Sequence, residues 1–213
     1  MFKAVFAHIA ALVSLMLSAC AGERPAPDTP PTLDTAPAPR QDSAAKFAVY
    51  ETERLFGLPR DELVAWLATD PSGSDTGFGR IVAAMEETPR IKKPVRSTAL
   101  EGQWPEDGAV RRLTFSDGHH VLERVLANEL PERFAYQVWG YTTSAGRNLD
   151  YAIGEQRFEA LSDGRTRMVW IYSLKPDAGF KRPFVQRFVD EDMRPLMDEA
   201  LDRVVAQSAK VPS

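Results

Sequence analysis

From about residue 96 to residue 174 the chain alternates apolar and polar side chains with a period of two, the signature of half-buried strands. Six runs carry the alternation: 96–104, 109–116, 119–128, 133–141, 151–161 and 165–174. They are rich in aromatic and β-branched residues, and turn chemistry such as the Ser-Asp-Gly at 116–118 and again at 162–164 separates them. Residues 46–56 alternate in the same way and predict a first strand. Two short helical patterns follow it. One starts after Pro59, carries Asp61 and Glu62 in its first turn and sets Leu63, Val64 and Leu67 on one face; the other covers 80–87 and stops before Pro89. Residues 180–208 predict one long amphipathic helix. Phe184, Phe188, Val189, Met193, Leu196, Met197, Ala200, Leu201 and Val204 form its apolar stripe, and Pro195 is expected to kink it.

This order predicts an α+β fold in which a curved, seven-stranded antiparallel sheet wraps around a long C-terminal helix, with two short helices between strands 1 and 2. A sheet of that size cannot leave its apolar face in water, and the last helix is the element large enough to cover it. Side-chain parity then assigns an inner face. Phe134, Tyr136 and Val138 point inward, as do Gly154, Gln156 and Phe158, and Met168, Trp170, Tyr172 and Leu174. Arg111, Leu113 and Phe115 share one face of their strand, and Val121, Glu123 and Val125 share one face of the next. The 116–118 turn joins those two strands, which makes Arg111 and Glu123 near neighbours. Facing inward, they form a partly buried ion pair able to hold a polar head group; at the sheet rim, they are ordinary surface charges.

The N-terminus has a different grammar. Lys3, an apolar run over 4–17 and the small residues Ser18 and Ala19 make an export signal, too short for the about 20 apolar residues that span a bilayer. Leu17-Ser18-Ala19-Cys20 resembles the lipobox of bacterial lipoproteins, in which cleavage leaves an acylated cysteine at the new N-terminus. Cys20 is the sole cysteine of the chain, as suits a thiol needed once in an oxidising compartment. Ala21 after it favours, by the same resemblance, the Gram-negative outer membrane, with the protein facing the periplasm. Residues 20–46 hold Pro25, Pro27, Pro30, Pro31, Pro37 and Pro39 among Ala, Thr and Asp, and too few large apolar groups to offset their ordering entropy. They are expected to form a semi-extended, disordered tether reaching at most roughly 80 Å. The predicted organisation is a signal peptide over 1–19, the lipidated tether over 20–46 and one domain over 47–213.

Composition and motifs exclude more than they assign. The chain carries 26 basic and 30 acidic side chains, with no basic stripe, which argues against nucleic acid. His119 and His120 are adjacent on a strand and point to opposite faces, so they cannot chelate one ion; they are expected as surface residues at a hairpin edge. No metal and no cofactor is expected, and Walker, dinucleotide-binding and hydrolase-elbow signatures are lacking. Ser43-Ala44-Ala45-Lys46 matches an acyl-serine enzyme motif without its partner motifs, and carries no assignment.

The element order, with the phrases "GAVRRLTFSDGHHVLERV", "LPERFAYQV", "FEALSDGRTRMVWIYS" and "RPLMDEAL", resembles the SRPBCC superfamily of START-like, polyketide cyclase/dehydrase helix-grip domains. The resemblance implies an elongated cavity between sheet and last helix that takes an apolar or lipid-like small molecule: a fatty acyl chain, a phospholipid or an isoprenoid. Its candidate lining here is Arg111, Phe115, Glu123, Phe134, Tyr136, Phe158, Trp170, Tyr172, Phe188, Met193 and Met197. A filled aromatic core without a void is the competing expectation. Three functions follow: a membrane-anchored binder of such a molecule, a cyclase or dehydratase using Glu123, Tyr136 or Tyr172 as acid or base, and an envelope protein that docks a partner on its outer surface.

Overall fold

Tight turns set the sheet. The 116–118 turn, with Gly118 at φ 83°, joins β3 (Val110–Phe115) to β4 (His120–Glu129). Short connections likewise join β2 (Pro94–Glu101) to β3, β4 to β5 (Arg133–Trp139), β5 to β6 (Leu149–Ala160) and β6 to β7 (Thr166–Pro176). The first strand, β1 (Ala48–Phe56), closes the far edge, giving the antiparallel order β1-β7-β6-β5-β4-β3-β2. The computed structural model describes residues 24–69, 71 and 78–211. Two short helices, α1 (Arg60–Ala68) and α2 (Gly79–Ala84), connect β1 to β2 as the sequence predicts. Asp61 and Glu62 sit in the first turn of α1, where the helix dipole favours acids.

The C-terminal helix is not continuous. It runs as α3 (Arg182–Phe188), a π-helical turn (Val189–Met193) and α4 (Arg194–Ser208). Pro195 has no N–H to donate one turn back, and its ring crowds the carbonyl there, so the helix widens just ahead of it. The wide turn also shifts the phase of the apolar stripe. Val185 and Val189 are buried while Phe184 is 63% exposed, which corrects its expected place on the buried face. Beyond the π turn, Met193, Leu196, Met197, Ala200, Leu201 and Val204 are buried as expected. The sheet holds this helix by a polar clamp as well as by packing. Tyr50 Oη (3.0 Å) and Thr52 Oγ1 (2.9 Å) donate to Asp198 Oδ1, which Arg54 Nη2 also reaches at 3.1 Å. Arg54 Nε donates to Asp202 at 2.7 Å.

The outer face of the sheet corrects a second expectation. From Arg24 on, the proline-rich segment is not a free tether: Leu33, Ala36, Ala38 and Phe47 pack on Val110, Leu122, Trp139 and Tyr151. The carbonyls of a proline-rich chain, left without intrasegment donors, accept from the sheet side chains. Trp139 Nε1 donates to Ala36 O (2.8 Å), Gln137 Nε2 to Pro39 O (3.1 Å) and Arg112 Nη1 to Pro31 O (3.2 Å). The segment is a strap, held because it satisfies polar groups that it also buries. It corrects the histidines too. His119 lies at hydrogen-bond distance from Arg24 O (2.9 Å) and Thr142 Oγ1 (3.0 Å), His120 from Thr114 Oγ1 (3.2 Å), and both rings are buried.

Two outcomes are expected. Trp139→Phe keeps an aromatic ring but loses part of the buried indole and the donor to Ala36; it should destabilise the fold by about 1–3 kcal/mol and speed limited proteolysis within 24–46, read from denaturant midpoints and fragment masses. Burial, and then the charges of Arg112 and Arg96, push the His120 pKa below its ordinary 6.5. The unfolded imidazole therefore binds a proton before the folded one does, so stability should be full above that value and decline as pH falls below it. His120→Gln should flatten the urea midpoint between about pH 7 and pH 5; a slope unchanged by the substitution would assign that loss to other groups.

Candidate functional site

Between the inner sheet face and the C-terminal helices lies a chamber of about 980 Å³. Phe115, Glu123, Tyr136, Trp170 and Tyr172 line it from the sheet, and Phe188, Met193 and Met197 line it from the helical side. A smaller chamber of about 280 Å³ adjoins it, walled by Arg111, Phe134, Trp104 and Gln156 together with α2. Glu123, Tyr136 and Trp170 border both. Of the residues predicted to line a cavity, only Phe158 lies elsewhere; it is buried in the core against Phe78.

The wall between the chambers is the polar part of the site. Arg111 and Glu123 are directly opposed across β3 and β4, and both are buried. Arg111 donates to Glu123 Oε2 from Nε (2.9 Å) and Nη2 (2.7 Å), and its guanidinium stacks 3.6 Å from the Trp104 ring centroid. Of the two placements open from the sequence, the inward one is observed. Both bonds fall on one carboxylate oxygen, and Glu123 Oε1 accepts no hydrogen bond from the described residues. Three tyrosines stand near this carboxylate. Burial first, and then neighbouring groups that include the Glu123 charge, push the pKa values of Tyr136, Tyr141 and Tyr172 well above the usual phenol range. All three hydroxyls are therefore protonated near neutral pH and available as donors.

Two further polar atoms face the same place. Gln156 and Trp170 are cross-strand neighbours on β6 and β7, and both are buried. Neither Gln156 Oε1 nor Trp170 Nε1 makes a hydrogen bond; the Tyr136 hydroxyl lies beside the indole, without the geometry of a bond. A buried acceptor and a buried donor, both unsatisfied, lie on one wall. Gly154 makes room for this arrangement. A Cβ there would come within 2.3 Å of Tyr136 Cζ, so the Tyr136 ring lies directly over the β6 backbone.

The sequence placed Gln156 on the inner face but not in the candidate lining, and Tyr141 and Trp104 were missed. Gln156 was legible, as an amide on an otherwise apolar inward face. Tyr141 was not, because Gly140 at φ 64° breaks the strand and turns the following residue toward the cavity. Trp104 belongs to no strand, and only the tertiary fold brings it to Arg111.

Residues 80–209 match the family described as polyketide cyclase / dehydrase and lipid transport, and the chain belongs to that family. No curated protein matches it by sequence. Among solved structures it is similar to the Zhui aromatase/cyclase of Streptomyces sp. R1128, at 16% identity and TM-score 0.52, over 78% of this chain and 95% of that one. It is also similar to Ara h 8.0201 (17%, TM-score 0.51, 76% and 99%) and to a protein of Arthrobacter aurescens (16%, TM-score 0.51, 84% and 95%). At these identities the likeness is one of fold, the helix-grip fold of the SRPBCC type.

Gly154→Ala tests the crowding at the wall. The added methyl should drive the Tyr136 ring off the strand and into the larger chamber, at a cost of about 1–3 kcal/mol in unfolding free energy. Chemical denaturation measures the cost, and a matching loss of binding by any cavity ligand follows from the narrowed space.

Proposed function

We propose that this chain is a membrane-anchored carrier of one amphipathic molecule, with its apolar body in the larger chamber and a neutral polar end at the wall. The observation that carries this reading is the pairing of an apolar, aromatic-lined chamber with unsatisfied Trp170 Nε1 on the wall it shares with the smaller chamber, where Gln156, the cross-strand neighbour of Trp170, leaves its Oε1 unsatisfied too. A hydroxyl answers both atoms at once, since it accepts from the indole and donates to the amide oxygen. A carboxylate does not: it would approach the Glu123 charge in a buried site, and Arg111 is already engaged with that charge. The favoured ligand is therefore a long-chain or isoprenoid alcohol, or an amide, rather than a free fatty acid. Each methylene buried adds about 0.8 kcal/mol, so the chain supplies the affinity and the wall supplies the choice.

The anchor belongs to the same proposal. Cys20 lies outside the described residues, and its assignment rests on the lipobox-like Leu17-Ser18-Ala19-Cys20. No helix among the described residues is long and apolar enough to cross a membrane. An acylated Cys20, on the periplasmic side of an outer membrane, would keep the carrier where such a ligand is concentrated. Acylation is read directly from the mass of the N-terminal peptide, and a Cys20→Ala chain that remained in the membrane fraction would sink this part of the proposal.

Native mass spectrometry on the Cys20→Ser chain, with the strap retained, tests the ligand. A long-chain alcohol should bind about tenfold more tightly than the matched alkane, and Gln156→Leu should remove most of that preference while leaving alkane binding unchanged. Equal binding of alcohol and alkane by the parent chain would overturn the assignment of the wall, and no binding of either would overturn the carrier.

A further inference from the structure

The strap changes where the anchor can be. Arg24, its first described residue, lines the mouth of the larger chamber, donating its N–H to Ser144 Oγ (2.8 Å) while its carbonyl oxygen meets His119 Nε2 (2.9 Å). Four chain steps separate Cys20 from Arg24, at most about 14 Å fully extended. The long reach expected of a free tether is thus lost, because residues 24–46 are laid against the outer face of the sheet. An acyl group on Cys20 would hold the cavity mouth itself next to the bilayer.

The surface around that mouth suits such a neighbour, on observations independent of the cysteine. Phe180 and Phe184 are 76% and 63% exposed, the two most exposed large apolar side chains among the described residues. Phe184 stands one helical turn before Phe188, which lines the chamber, and Asp177 N bonds Asn148 O (3.0 Å), tying this segment to the loop at the mouth. Arg24, Lys92 and Arg147 line the chamber, and Arg182 stands between the two phenylalanines; none of the four makes an ion pair among the described residues. Acids are present as well. Asp192 pairs with Arg90, Asp177 with Lys181 and Glu191 with Arg187, while Asp117 also lines the chamber. Glu87 also lies within electrostatic reach of Lys92. Exposed aromatic rings beside cations that are not held in close ion pairs are the chemistry of a surface that seats in the headgroup region of an anionic bilayer.

We propose that the face formed by Phe180, Phe184, Arg182, Arg147, Lys92 and Arg24 docks on an anionic lipid bilayer, so that the cavity opens directly onto the membrane. The proposal deepens the carrier reading and rests on it for the purpose of the opening, but the docking itself is independent of acylation. The ligand then enters and leaves along the lipid surface without crossing water. The strap sets the orientation, since it fixes Arg24 beside the mouth rather than at the far end of the sheet.

The test uses the thiol-free Cys20→Ser chain with phosphatidylcholine vesicles that do or do not contain phosphatidylglycerol. Sedimentation should show binding to the anionic vesicles alone, weakened about tenfold by Phe180→Ser with Phe184→Ser and reduced as salt is raised. An environment-sensitive dye on Ala145→Cys, in the mouth loop, should shift to the blue on docking, whereas the same dye on Ser162→Cys, in the β6–β7 turn at the opposite end of the strands, should not. No binding to anionic vesicles, or equal shifts at both positions, overturns the proposal. If the parent chain proves not to be acylated on Cys20 while its thiol-free form still docks mouth-first, the anchor fails and the docking face stands. If Cys20 is acylated and the dye positions do not differ, the anchor stands and the docking face fails.

Discussion

A buried carboxylate must have a partner, and the inner half of this protein is arranged around that requirement. Glu123 lies on the concave face of a sheet where every neighbouring strand supplies aromatic or aliphatic side chains, a setting in which an isolated charge would cost several kcal/mol. Arg111 meets it from the adjacent strand, and Trp104 covers the guanidinium. The pair divides the interior into two chambers and puts a fixed negative charge at their junction. Its influence reaches Tyr136, Tyr141 and Tyr172, whose hydroxyls it helps to keep protonated. Replacing the pair with apolar side chains could yield an equally stable core, but that core would have no reason to prefer one end of a ligand over the other.

Both faces of the sheet are covered, by different means. On the inside, the interrupted helix is held by packing and by the clamp from Tyr50, Thr52 and Arg54 to Asp198 and Asp202. The outside is covered by a strap with no regular secondary structure, which gains its place by offering carbonyls to Trp139, Gln137 and Arg112. A second helix would have satisfied its own carbonyls and left those sheet donors buried and unpaired. A proline-rich segment is the better cover for a polar, aromatic outer face.

Much of the fold was legible because strand parity and turn chemistry act locally. The inward placement of Trp170, Tyr172, Tyr136 and Phe134 follows from alternation alone, and the opposition of Arg111 and Glu123 follows from the turn between their strands. What the sequence concealed depended on groups distant along the chain. The strap was unreadable because low apolar content argues against burial only when the segment must form its own core; here the apolar surface was already provided by Leu122, Trp139 and Tyr151. Outward-facing Leu122 and Trp139, with nothing assigned to cover them, were the available signal. Phe184 was misplaced for a different reason. A single π turn between Val189 and Met193 resets the phase of the helix, and periodicity read straight across it fails.

The wall also bears on which chemistry the cavity can support. A general base must be deprotonated and able to reach its substrate, and a general acid must give up its proton readily. Tyr136 and Tyr172 hold their protons more firmly than free phenols do, which suits them to donating hydrogen bonds rather than transferring protons. Both hydrogen bonds from Arg111 fall on one oxygen of Glu123, and the residue borders both chambers. That leaves its second oxygen as an acceptor for a bound hydroxyl. On the carrier reading proposed above, the groups at this wall are matched to holding a neutral polar end in place, and recognition accounts for their arrangement more completely than proton transfer does.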